Sequence, residues 1–207
     1  GQGIELDYQD QSGALNEAFS DWMGTAVEQY SNPSYWNWQI GRQEISVLRD
    51  LSDPTLYPSY CVTGGVGYNQ PQPDHMSDYV TCTNDNGGVH LNSGIPNKMF
   101  YLLSQGGTHN NVTVQELGIE KAMEIAFKAN IEEWSKDTTF IKAKDGMKNA
   151  AQNIYGQNSN QVYQVQNAWA AVGVGTLPMI STYTNLSGSG ATTGDGSYEW
   201  GKDVTVT

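Results

Sequence analysis

Apolar positions recur at helical spacing in five stretches of this chain. The first opens on an N-cap serine, Ser12, and runs to about Tyr30. In the second, Leu91, Ile95, Met99 and Leu102 share one face and Gly106-Gly107 marks the stop, while Pro96 implies a kink or an early first turn. The third covers about 118–135, with Ile119, Met123, Phe127, Ile131 and Trp134 spaced as a buried stripe. The fourth spans roughly 138–155 before Gly156, and the fifth about 159–172 before Gly173. Short connections between successive helices make antiparallel neighbours, so the expectation is a mainly α chain built as a bundle of about five helices. The apolar stripes read as core.

Between these stretches the pattern loses its period. Residues 3–11 read as a lead-in loop, Asn32-Pro33 as a turn, 36–49 as extended or irregular chain, and Ser52-Asp53-Pro54 as another turn. From Tyr57 to Asn84 the chain reads as one long loop, with Gly64, Gly65, Gly67, Pro71 and Pro73 set against regular structure. A loop of that length in a compact domain is usually functional or covalently pinned. It contains both cysteines, Cys61 and Cys82. Joined, they would close a loop of roughly twenty residues and stabilise the fold by about 3 kcal/mol, which points to an oxidising, secreted setting; two free thiols are the alternative. Residues 1–175 form the helical unit, and 176–207 a Ser/Thr/Gly-rich linker or small appendage in which Val204 and Val206 could add a strand. Sequons stand at Asn111-Val112-Thr113 and Asn185-Leu186-Ser187.

At 207 residues and 38% hydrophobic the chain can bury one sizeable core. Its net charge of −12 argues against nucleic acid or an anionic membrane as a partner. No apolar run approaches the length that spans a bilayer.

Two constellations remain. Glu17 and Asp21 are four residues apart, so a helix places both carboxylates on one face; taken alone, such a pair is a solvated surface. Asp85 precedes His90 by five residues across Gly87-Gly88. A lone histidine there is ordinarily structural. The alternative is chemical: the carboxylate engages one ring nitrogen and leaves the other aimed outward, where it can steady a developing oxyanion.

Asn16-Glu17-Ala18-Phe19-Ser20-Asp21 and Asn84-Asp85-Asn86-Gly87-Gly88-Val89-His90, in this order, resemble two motifs of the thermolysin-like zinc metallopeptidases. Val47-Leu48-Arg49-Asp50-Leu51-Ser52-Asp53-Pro54, Leu6-Asp7-Tyr8-Gln9, Gln105-Gly106-Gly107-Thr108-His109 and Ala171-Val172-Gly173-Val174 extend the likeness over about residues 3–175, the family's helical C-terminal half. The resemblance implies that Glu17 is a zinc ligand and that Asp21 orients a metal-binding histidine. It implies that His90 and Tyr8 steady the tetrahedral intermediate while Asp85 orients His90. It further implies that Arg49 bonds a substrate carbonyl and that Leu48 and Ile40 wall the pocket for the residue after the scissile bond.

Two departures qualify the likeness. A His-Glu-x-x-His helix, which supplies two zinc ligands and a general base, is not in this sequence; the three histidines are His75, His90 and His109, none so spaced. At the family's calcium site Glu28 keeps one acidic position, but Asn37, Gln39 and Arg42 stand where carboxylates are common. That composition leaves out a double calcium site and leaves a single weak one open. The expected function is thus the C-terminal half of a secreted zinc endopeptidase acting on peptide or protein substrates. It would be inactive alone and complemented by an N-terminal half carrying the missing motif. The rival is a non-catalytic helical module that kept the scaffold.

Overall fold

The computed structural model describes residues 5–41, 46–182 and 193–205. Six helices, α1 (Asp10–Ser31), α2 (Asp85–Asn92), α3 (Gly94–Gln105), α4 (Ile119–Glu132), α5 (Phe140–Tyr155) and α6 (Asn160–Ala171), carry the fold. Four antiparallel two-stranded ribbons accompany them: β1 (Gln39–Ile40) with β2 (Arg49–Asp50), β3 (Ser59–Thr63) with β4 (Val66–Gln70), β5 (Gly107–His109) with β6 (Val112–Val114), and β7 (Met179–Ile180) with β8 (Gly196–Ser197). The five long helices are those expected from the apolar period; α2 is a short, irregular addition. The main core runs between them, with Trp22 of α1 stacked on Phe100 of α3 at 4.9 Å and Phe140 of α5 against Trp169 of α6; Cys61, Val80, Cys82 and Leu91 form a second, smaller cluster.

Helix α1 starts two residues before the expected cap. Gln9 occupies the N-cap position without a side-chain bond. Ser12 lies inside the helix and donates its hydroxyl to the Lys136 carbonyl at 2.6 Å, beside the Asp7 N–H bond to the same oxygen. Anchoring to a distant segment, not a local cap, sets where this helix begins. Leu91, Ile95, Met99 and Leu102 are all buried as the period implies, but on two helices, because the chain breaks at Ser93 and Pro96 falls in the first turn of α3. At the start of α6, by contrast, the cap is local: Ser159 Oγ accepts from Val162 N. Ser159→Ala should lower stability by about 1 kcal/mol, read as a drop in Tm with no change in fold.

Three expectations are corrected. The segment 57–84 is not one irregular loop, because Gly64 and Gly65, both at positive φ (60° and 80°), make the tight turn that joins β3 to β4. The buried face of α4 is only in part the large-residue stripe: Ile119 and Trp134 are buried as expected, but the three residues between them are not. Phe127 is 47% exposed and Met123 and Ile131 are half-buried, while Ala122, Ile125, Ala126 and Ala129 are fully buried. Small side chains let α4 approach α5, whose Ala143, Met147 and Ala150 face the same core, so the alanines win the interior. The C-terminal strand is Gly196–Ser197, paired with Met179–Ile180, and Val204 is in no strand. Val206, Arg42 and the second sequon lie outside the described residues.

The C-terminal stretch touches the bundle. Trp200 N donates to Asn167 Oδ1 at 2.7 Å, Asn167 Nδ2 donates back to the Trp200 carbonyl, and Glu199 accepts from Thr113 N on β6. Cys61 and Cys82 form a disulfide. It pins the hairpin β3–β4 beside α2.

Candidate active site

Tyr8 sits just before α1, Glu17 and Asp21 on that helix, Asp85 and His90 at the two ends of the α2 turn, and Arg49 on β2. Gly13 lets α1 and α2 come this close: a Cβ at Gly13 would stand 2.5 Å from Val89 Cγ1. The approach closes Tyr8, Glu17 and His90 into one cluster. The Tyr8 hydroxyl donates to Glu17 Oε1 and lies 3.3 Å from His90 Nε2, which is itself 3.4 Å from Glu17 Oε2. Behind the ring, Asp85 Oδ1 is 2.5 Å from His90 Nδ1, and Asp85 Oδ2 accepts from His90 N at 3.0 Å. One carboxylate thus orients both the ring and the backbone of His90, and Nε2 is turned toward Glu17. Burial, reinforced by the Glu17 carboxylate, pushes the Tyr8 phenol above its usual range, so Tyr8 keeps its proton as a donor.

The second carboxylate of the helix face has a different environment. Asp21 is 4% exposed and takes a bidentate pair from Arg49, Nε at 2.7 Å and NH2 at 2.8 Å. Asn97 of α3 donates a third bond at 2.9 Å. Burial alone would lower the Arg49 pKa; the Asp21 carboxylate outweighs it and holds the guanidinium charged. Ile40 pairs with Arg49 across β1–β2, and Leu48 N donates to the Ile40 carbonyl at 2.8 Å. Ile40 is half-buried and Leu48 is 55% exposed, so an apolar edge borders the arginine.

Other candidates fall elsewhere. Glu28 is eleven residues further along α1 than Glu17, ~16 Å of helix rise. Near it in sequence, Asn37 Oδ1 accepts from Gln39 N, and Gln39 Nε2 donates to Asp50 Oδ2. Asp50 Oδ1 is taken up by Ser52 and by Asp53 N. His75 caps the short turn 76–78 through Ser77 N, and His109 faces Asp74. Sequence reasoning missed Asn97 and Gln72, whose Nε2 donates to the His90 carbonyl at 2.9 Å. Nothing local marks either residue, because each meets its partner only through the packed fold.

Among the described residues, no three His, Cys, Asp or Glu side chains converge on a metal position. Glu17 fits one coordination place, since its carboxylate is held on a rigid helix between two hydrogen-bonding side chains. The remaining ligands of a catalytic zinc, ordinarily three protein groups in all, would have to come from outside these residues.

A family model described as thermolysin metallopeptidase, alpha-helical domain, matches residues 4–174. Bacillolysin of Bacillus cereus is 44% identical over 175 residues, covering 82% of this chain and 28% of that protein. The thermostable neutral protease NprT of Geobacillus stearothermophilus is 41% identical, covering 82% of this chain and 29% of its own length. Among solved structures, the precursor of protealysin, a metalloproteinase from Serratia proteamaculans, superposes with a TM-score of 0.65 at 32% identity. The match covers 82% of this chain and 52% of that one. The chain therefore spans less than a third of the length of these curated relatives.

Proposed function

Because this chain belongs to the thermolysin metallopeptidase family, as its alpha-helical domain, we propose that it forms one wall of the active site of a zinc endopeptidase. The observation that carries the reading is the Glu17 carboxylate held between Tyr8 and His90, with Asp85 bonded behind the imidazole. Glu17 would supply one zinc ligand, and the other half of the enzyme, carrying His-Glu-x-x-His, the rest. Bound there, zinc would polarise the scissile carbonyl and activate water. His90 Nε2 and the Tyr8 hydroxyl, which here face Glu17, would turn from that carboxylate to present hydrogen-bond donors to the oxygen that gains charge. Asp85 holds the ring in place for that task. Asp21 would orient a metal-binding histidine of the other half, and it also fixes Arg49, whose remaining N–H groups would serve a substrate carbonyl. Ile40 and Leu48 offer apolar contact to the adjoining side chain, which favours peptides with an apolar residue after the cleaved bond. The Cys61–Cys82 disulfide supports a secreted setting, and among the described residues no helix is long and apolar enough to cross a membrane.

Zinc content and casein hydrolysis, measured on residues 1–207 and on the full-length protein, test this reading. We expect neither stoichiometric zinc nor hydrolysis from residues 1–207 alone. The full-length protein should show both and lose activity with a chelator. Stoichiometric zinc with hydrolysis by residues 1–207 would overturn the shared-site reading. A full-length protein with neither would mean a scaffold without catalysis.

A further inference from the structure

We propose that the disulfide-pinned β3–β4 hairpin is the frame that aims His90, with Gln72 at its base as a positioning residue. The proposal deepens the preceding reading, since it rests on His90 acting as the oxyanion-side donor.

The need for a frame is visible in the backbone. Asp85, Asn86, Gly87 and Gly88 all have positive φ (55°, 48°, 88° and 83°). For the two residues that carry a Cβ this conformation is disfavoured, so surrounding structure must hold the turn. The hairpin and the segment after it supply that hold. Asn84 Oδ1 accepts from Val62 N of β3 at 2.7 Å, Asn84 Nδ2 donates to the Tyr60 carbonyl, and Thr83 N donates to the Val62 carbonyl. At the other end of the turn, the Asn92 side chain bonds Val80 through both its oxygen and its nitrogen, and its nitrogen also reaches the Gly87 carbonyl. Cys82 Sγ lies against the turn itself: a Cβ at Gly88 would come within 3.0 Å of it. The disulfide then ties that sulfur to Cys61 of β3, so the hairpin cannot swing away from the turn.

Gln72 completes the connection. It is 1% exposed, and its Nε2 donates to the His90 carbonyl at 2.9 Å and to Ser59 Oγ of β3 at 3.4 Å. The backbone of His90 is thereby fixed from the hairpin side, while Asp85 fixes its ring. A frame serving only general stability has no need to meet the carbonyl of His90, whose ring faces Glu17.

Gln72→Glu keeps the side-chain shape and removes the N–H donors. The control is Thr63→Val, which cuts the hairpin's bond to the Thr81 carbonyl and leaves the partners of the His90 carbonyl and ring in place. The readout is the backbone 15N–1H order parameter of His90 in residues 1–207, measured without metal. It stands or falls independently of whether the full-length protein hydrolyses peptides. In the parent chain and in Thr63→Val the His90 backbone should be ordered at about 0.85, and Gln72→Glu should bring it below about 0.6. In an active full-length protein, the same change should lower kcat about tenfold with KM unchanged. A disordered His90 backbone in the parent chain would overturn the proposal, and so would an unchanged one in Gln72→Glu or an equal loss in Thr63→Val. Should Gln72→Glu not fold, the Cys61→Ala/Cys82→Ala pair is read by the same measurement and the same thresholds.

Discussion

His90→Ala in the full-length protein is expected to lower kcat by about 10²–10³-fold while KM moves little, as steady-state hydrolysis of a peptide substrate will show. The size follows from the role. A donor aimed at a developing oxyanion contributes in the transition state and hardly at all in the ground state. The geometry supports that role, because Asp85 occupies His90 Nδ1 and Nε2 is left facing Glu17. Asp85→Ala should reproduce most of the loss by releasing the ring rather than removing it. A mutant with unchanged kcat and raised KM would instead make His90 a substrate-binding group.

Asp21→Ala should destabilise residues 1–207 by about 3–5 kcal/mol, measured by urea unfolding. The substitution leaves Arg49, whose side chain is 15% exposed, without its bidentate partner, and also strands the Asn97 amide. Leaving a buried charge unpaired is what makes the loss large, since desolvation is no longer offset by attraction. Removing both ends with Asp21→Ala/Arg49→Met should recover a good part of the stability, since no buried charge is then left unpaired. Equal losses from the single and double variants would show that Asp21 stabilises by packing alone.

Much of this architecture is legible in the chain. Periodicity alone places five helices, and Gly106, Gly156 and Gly173 end three of them where expected. The spacing of Glu17 and Asp21 puts both on the same side of α1, and the Asp85-to-His90 spacing puts a carboxylate against a ring nitrogen. These are short-range relations, governed by 3.6 residues per turn and by one tight turn. Other features do not show. The α4 stripe picks out Phe127, yet the helix turns Ala122, Ala126 and Ala129 inward with Ile125, because small side chains on that face let it pack close to α5. The Gly64-Gly65 pair looks like a breaker until its positive φ values are seen to close a hairpin.

By itself, then, the sequence determined the helical class, the helix boundaries set by glycine, the Glu17/Asp21 carboxylate pair and the Asp85–His90 pair, because each depends on bonds within a few residues. Only the tertiary structure decided that the two carboxylates of α1 part company. Asp21 turns to Arg49 and Asn97, 28 and 76 residues away, while Glu17 turns to Tyr8 and His90. Contacts at that separation are selected by how whole helices pack, and packing responds to the volume and charge of every neighbour at once.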